Sequence, residues 1–538
     1  MNFLLSILYA ACTVSAAALP ATTTSSVDLF PTNIGFLGVT ATSEAPFLAQ
    51  TDRAAITYGT PTSSYTLPQP IETAIQAKDS APGDRNIFEL MGTISPYYVG
   101  EGWGIYDYGM PEQCSIKQVH VLARHGSRYP THKMSTGTLL SDHNYTATGE
   151  LEFLNGYEYV QGVNVLTKLG NQQLFDKGVR TFFRYGDLYQ SWGANNTTPH
   201  KMVARTTSQE RITATAEYFL AGFFGLDWQN YADLEIIIES NGYNNTMASD
   251  SCPISNNLTA SDPDTTKFKK QYLANAVERF NANLTGLTLT TDIVFDMQQL
   301  CTYEVNNNGF SPFCSLFTQQ EWEDYEYLFS WNWYNDNMFG SPVGRALGVG
   351  WVEEFKQRLL GSNEFDWSTL ASQNTTLDAN PTYFPTNQSL YFDFSHDSDI
   401  SNIFTALGMN QFKSNFTIDG KLGSKEQPLD ASTVVPFASQ TYFEVIECSA
   451  AIPANRSIIS EYDVNTTETT KYIHMILNDH TINLSENFPD FCEPRDDGWC
   501  EFSKFMDHLD TLYELSDFDN ACYTGDYDLN AFVTDGHP

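Results

Sequence analysis

Positive charge is scarce in this chain. Its 538 residues carry 28 Lys and Arg against 65 Asp and Glu, a formal net charge of -37 at pH 7. So acidic a chain excludes binding to nucleic acid or to anionic membranes through general electrostatics, and any polyanionic substrate must meet positive charge gathered locally. Self-repulsion eases as pH falls toward the carboxylate pKa values, which points to work in an acidic medium. The nine cysteines include no Cys-x-x-Cys pair, which argues against a cysteine metal site. Beyond the N-terminus no apolar run reaches transmembrane length, no Gly-rich nucleotide loop occurs and no internal repeat is visible. The C-terminal NAFVTDGHP lacks the hydrophobic tail of a lipid-anchor signal. Disorder is excluded too: hydrophobic residues make up 41% and aromatics 14%, enough for a sizeable core.

What is present begins with MNFLLSILYAACTVSAAALP. Its apolar stretch is too short to span a bilayer and ends in small residues, so residues 1–18 are expected to be a cleaved secretory signal. Cys12 leaves with it. The remaining eight (Cys114, Cys252, Cys301, Cys314, Cys448, Cys492, Cys500, Cys522) form an even set, as expected for disulfides in a secreted chain. Asn-x-Ser/Thr sequons stand at Asn144, Asn195, Asn196, Asn244, Asn257, Asn283, Asn374, Asn387, Asn415, Asn455, Asn465 and Asn483, with Asn195 and Asn196 overlapping. Together with the signal they predict a heavily glycosylated extracellular, periplasmic or cell-wall protein.

Residues 19–85 are rich in Ser, Thr, Ala and Pro and read as an arm without its own core. From about 115 strand and helix patterns alternate. KQVHVLA and KMVAR read as strands. TKLGNQQLFDKGVRTFFRYGDLYQSW and TTSQERITATAEYFLAGFFG read as helices, the second ended by Gly222 and Gly225. SLYFDFSHDSDISNIFTALGM reads as strand, turn, helix, and TKYIHMILNDHTINL as a hairpin around Asn478-Asp479. The expected architecture is α/β: a large domain (86–225 and 386–538) with a mixed central sheet flanked by helices, split by a smaller, mostly helical insertion (226–385).

Three charged clusters close predicted strands: Arg124, His125 and Arg128 in RHGSRYP, Arg205 in ARTTSQER, and His396-Asp397 in SHD. Ligands of open α/β sheets bind beyond the carboxyl ends of strands. If these ends are neighbours, guanidinium forks and imidazoles surround one point, an arrangement suited to a phosphoryl group. RHGSRYP followed downstream by HD resembles the histidine acid phosphatases, which include fungal phytases and yeast secreted acid phosphatases. The five fixed types of that heptad would coincide by chance in roughly one such chain in several thousand. The resemblance runs from about 90 to the C-terminus.

It implies a phosphomonoesterase in which His125 is phosphorylated, Arg124, Arg128, Arg205 and His396 hold the phosphate, and Asp397 protonates the leaving alcohol. Neighbouring arginines should keep His125 unprotonated in acid, and Asp397 should favour an acidic optimum. It also implies the disulfides Cys114–Cys448, Cys252–Cys522, Cys301–Cys314 and Cys492–Cys500. No cofactor or metal is expected, and the partners are small phosphate esters. Ser398-Asp399 after the pair resembles the yeast-type enzymes of broad specificity, whereas ARTTSQER resembles the phytase version. The expectation is therefore a broad acid phosphatase, with phytate as the alternative main substrate. Two other readings are an intracellular phosphoglycerate mutase-like enzyme, disfavoured by the signal and sequons, and a catalytically silent cell-wall glycoprotein. His120, His474, His508 and Asp393 are expected to be structural. His132 and Lys133 read either as lining the pocket mouth or as ordinary surface residues, Tyr129-Pro130 as a turn, and Asp399 as a helix cap.

Overall fold

The alternating patterns condense into one mixed sheet in the computed structural model, which describes residues 75–194, 201–258, 262–413, 429–456 and 469–538, apart from 363, 366 and 530. The expected signal, most of the arm, and Asn195, Asn196, Asn415 and Asn465 lie outside these residues. All elements below belong to a compact unit spanning Pro70–Pro538.

The sheet comprises β1 (Cys114–Arg124), β2 (Met202–Thr207), β3 (Ala232–Ile237), β4 (Leu390–Ser395), β5 (Gln440–Cys448), β6 (Thr470–Leu477), β7 (His480–Thr481) and β8 (Cys500–Glu501). Its order is β8-β6-β5-β1-β4-β2-β3, with β7 on β6. Strands β1, β4, β2 and β3 run parallel, so their carboxyl ends share one edge, while β5 is antiparallel to both β1 and β6. The β6–β7 turn is Asn478-Asp479, with φ of 49° and 73°, the left-handed pair a two-residue hairpin demands. Strand β3 falls inside the stretch expected to be a helical insertion, yet it completes the sheet edge.

Side chains alternate across the sheet with period two. Val119, Val121 and Ala123 of β1, Ala204 of β2, and Phe392 and Phe394 of β4 pack with Leu174, Ile212, Ala216 and Phe219. Those partners come from helices α1 (Lys168–Ala194) and α2 (Glu210–Phe224). Gly222 does not end α2: it lies inside the helix, where an added Cβ would stand 2.0 Å from the Phe175 carbonyl of α1, and Gly225 at φ 97° forms the cap. Leu122 joins the larger core, which includes residues of α3 (Thr291–Asn308), α4 (Gln319–Asn337), α5 (Gly344–Leu360) and α6 (Asp397–Leu407). The bonds Cys114–Cys448, Cys252–Cys522, Cys301–Cys314 and Cys492–Cys500 are all formed. Among the described sequons Asn144, Asn244, Asn387 and Asn455 are exposed, whereas Asn283, Asn374 and Asn483 are half-buried.

Candidate active site

Strand β1 delivers Arg124 to the carboxyl edge fully buried. One of its nitrogens donates to the carbonyls of Thr93 and Val435 and another to the Asp397 carboxylate. The chain then turns sharply over α1. An added Cβ on Gly126 would meet the Gly170 carbonyl at 2.6 Å, and one on Gly170 the Ser127 carbonyl at 2.1 Å. Both glycines are therefore required by close approach. The turn is pinned by Ser127, whose N–H donates to Gln173 at 2.9 Å and whose hydroxyl donates to Asn306 at 2.7 Å. His125 Nδ1 lies 2.9 Å from the Gly126 carbonyl. A carbonyl only accepts, so Nδ1 carries the proton and Nε2 keeps its lone pair. Arg124 and Arg128 flank the site over the Phe437 ring, at 4.7 and 6.0 Å from its centroid.

Strand β4 and helix α6 supply the opposite wall. His396 ends the turn, 5.8 Å from His125 between ring centroids, and Asp397 opens α6. Arg211, in the first turn of α2, donates to His396 Nδ1 at 3.1 Å and to Asn164 at 2.7 Å. His396 Nε2 in turn donates to Glu239, just past β3, at 2.9 Å. An Arg211–His396–Glu239 chain thus spans the ends of three neighbouring strands.

Burial first, and then Arg124, Arg128, Arg211 and His396, push the His125 pKa well below its ordinary value. The imidazole therefore stays neutral in acid. Burial would raise the Asp397 pKa, but Arg124, Arg128, His396 and Arg211 together hold it below the usual carboxylate value. Burial and mutual repulsion bring Arg124 and Arg211 down to about 10. Three guanidiniums, Arg124, Arg128 and Arg211, here face the carboxylates of Asp397 and Glu239, so positive charge is in excess. Asp399 moves the other way, pushed well up by burial and by Glu239 and Asp397.

Sequence comparison agrees with this geometry. The profile of the "Histidine phosphatase superfamily (branch 2)" matches residues 115–478. The chain belongs to that superfamily. It is similar to Phytase A of Aspergillus oryzae, 30% identical over 79% of this chain and 88% of that protein. It is also similar to Phytase A of Emericella nidulans, 32% identical over 70% and 83%. Its fold matches the crystal structure of the phytase from D. castellii with a TM-score of 0.64, at 24% identity over 83% of this chain and 89% of that one. A phosphomonoesterase activity comes with membership of this family.

In this histidine phosphatase the expected residues Arg124, His125, Arg128, His396 and Asp397 stand together, and Arg205 does not. Arg205 sits mid-strand in β2, in register with Asp393 of β4. Its guanidinium makes two 2.9 Å bonds to Asp393 and a 2.7 Å ion pair with Glu354. Alternation explains the error: Ala204 faces α2, so its neighbour Arg205 faces the opposite side, toward α5. Arg211 occupies the place foreseen for Arg205. Asp399 does not cap α6 either: the N-cap is His396, without a side-chain cap bond. Arg211 and Glu239 went unread in the sequence. A signal for Arg211 existed, because an arginine in the first turn of a helix opposes the helix dipole unless an anion joins it. His120 stacks on Tyr391, His474 pairs with Glu444 at 2.8 Å, and His508 donates to the Leu407 carbonyl at 2.8 Å, all of them structural contacts.

Proposed function

We propose that this protein is a secreted acid phosphatase that hydrolyses phosphomonoesters, inositol phosphates among them, through a phosphohistidine on His125. The observation that carries the reading is His125 Nε2, unprotonated and ringed by Arg124, Arg128 and Arg211. In the first step Nε2 attacks phosphorus, the ester P–O bond breaks, and the alcohol leaves with the proton of Asp397. In the second, water attacks phosphorus as Asp397 takes its proton, the P–Nε2 bond breaks with its electron pair returning to His125, and inorganic phosphate departs. Positioning and charge neutralisation are what such a loose transfer requires. The arginine field keeps Asp397 ionised in the empty site. A bound phosphate dianion cancels that field, so substrate binding and Asp397 protonation reinforce each other, and lower pH favours both.

Phytate is supported by the relatives named Phytase A. Asp399 beside the site favours acid for such a substrate, since burial, Glu239 and Asp397 push its pKa well up and the charge it gains as pH rises repels additional phosphates. Secretion is supported by the N-terminal pattern, the sequons and the four disulfides. The test is phosphate release from phytate and from an aryl phosphate between about pH 3 and about pH 8, with and without His125→Ala. Both rates should rise toward acid and fall by at least ~1000-fold in the variant. A flat pH profile, or an active His125→Ala, overturns the proposal.

A further inference from the structure

A second cationic pocket lies behind the His125 turn and takes no part in the chemistry above. It is a cleft of about 230 Å³ between α1 and the segment 88–98. Phe88, Pro96 and Tyr98 of that segment line it, together with Leu169, Lys177 and Arg180 of α1. Lys177 is buried at 5% exposure. Its ammonium lies 3.3 Å from the centroid of Tyr97 and 3.7 Å from Asp479, the nearest carboxylate. That carboxylate is already engaged. It accepts the Tyr97 hydroxyl at 2.6 Å and pairs with Arg180 at 2.9 Å and Arg184 at 3.1 Å. Three cations thus share one carboxylate, and the other acid of the cleft, Asp176, is exposed at its rim. A buried ammonium so incompletely paired is costly, and burial pushes its pKa down to about 7. In a chain of net charge -37 such a local surplus of cations beside apolar side chains calls for an occupant.

We infer that this cleft is a binding site for a small amphipathic anion, with a flat apolar body against Phe88, Pro96 and Leu169 and its anionic head between Lys177 and Arg180. Charge complementarity sets the sign of the head, and the apolar lining sets the body. The site is distinct from the phosphate pocket but adjoins it: Gln173 lines the cleft and also accepts the Ser127 N–H of the His125 turn.

Calorimetric titration of the full chain with naphthalenesulfonate tests this, in excess inorganic phosphate to fill the catalytic site. One molecule should bind per chain. Lys177→Met should weaken binding at least ~10-fold, the size of a lost charge-assisted hydrogen bond. Arg180→Gln, at an exposed position, should weaken it by ~3-fold or more, as should replacing the sulfonate by the neutral sulfonamide. Absence of saturation at millimolar probe, displacement by phosphate, or unchanged affinity in Arg180→Gln and for the sulfonamide each overturns the inference.

Discussion

Two groups of buried arginines lie against the same sheet and have opposite surroundings. Arg124 and Arg205 are equally buried, at 0% and 1% exposure. Arg205 and Arg358 face Asp393, which also accepts the Trp351 indole at 2.9 Å, and Arg205 pairs with Glu354 as well. Asp378 and Glu235 stand close enough to feel the same field. There the negative charge is in excess: Asp393 and Glu354 raise the Arg205 pKa well above normal, while burial lifts Glu235 to about 7 and Asp378 to about 9. Around His125 the excess is positive, and Arg124 and Arg211 fall to about 10. Burial of an arginine therefore does not mark a phosphate site. A surplus of positive charge that the fold leaves uncancelled does.

The strongest way to break this comparison is to remove one arginine from each group. Arg211→Ala should lower kcat/KM by ~1000-fold, the scale of a lost transition-state charge contact, with little change in thermal midpoint. Arg205→Ala should do the reverse. It leaves Asp393 and Glu354 short of a buried partner and should cost about 3–5 kcal/mol of stability, while the folded fraction keeps kcat/KM within ~3-fold of wild type. Denaturant unfolding and steady-state kinetics on the same preparations read both. Equal kinetic losses in the two variants would mean that the groups do not differ in role.

The two groups were unequally legible in the sequence. Arg124, His125 and Arg128 are contiguous and His396 adjoins Asp397, so local order alone displayed most of the site. The partners of Arg205 come from β4 and α5, 188 residues away in the case of Asp393, and only strand register brings them together. Glu239 meets His396 across 157 residues for the same reason. Strand β3 was missed because it is an edge strand: Ile236 and Ile238 are exposed beside Asp233 and Glu235, so the inside–outside alternation is weak. The disulfides were legible through the family resemblance, since spacing leaves the pairing open.

The acidic surplus around Arg205 gives the comparison a pH axis. Glu235 and Asp378 have folded pKa values above their ordinary ones, so both are protonated in the folded chain where the unfolded chain has ionised them. Folding then takes up protons, and stability falls as pH rises. The contribution is fully present below about pH 4 and is lost as pH rises through about 7 for Glu235 and about 9 for Asp378. For Glu235 the loss is on the order of 3 kcal/mol. Thermal midpoints measured across about pH 5 to about pH 9 should decline, and Asp378→Asn should flatten the upper part of that decline. An unchanged slope in Asp378→Asn would place the acid preference of the fold elsewhere.

The smallest effect concerns the link that joins the positive group to a carboxylate. Glu239 accepts from His396 Nε2, and Arg211 donates to His396 Nδ1, so both ring nitrogens are engaged before any substrate arrives. Under the proposed mechanism His396 would serve the phosphate by aiming Arg211, with Glu239 fixing the tautomer that lets it do so. Glu239→Gln retains an amide oxygen that can accept the same N–H. It should keep kcat/KM within ~3-fold, whereas Glu239→Ala frees the ring and should raise KM about 10-fold, with a smaller change in kcat. A direct contact of Glu239 with substrate predicts a different pattern, in which Gln and Ala are equally damaging and the alkaline limb of the pH profile shifts in both. The KM-against-kcat split of the two variants separates an arginine held in place by a distant carboxylate from one that needs no such support.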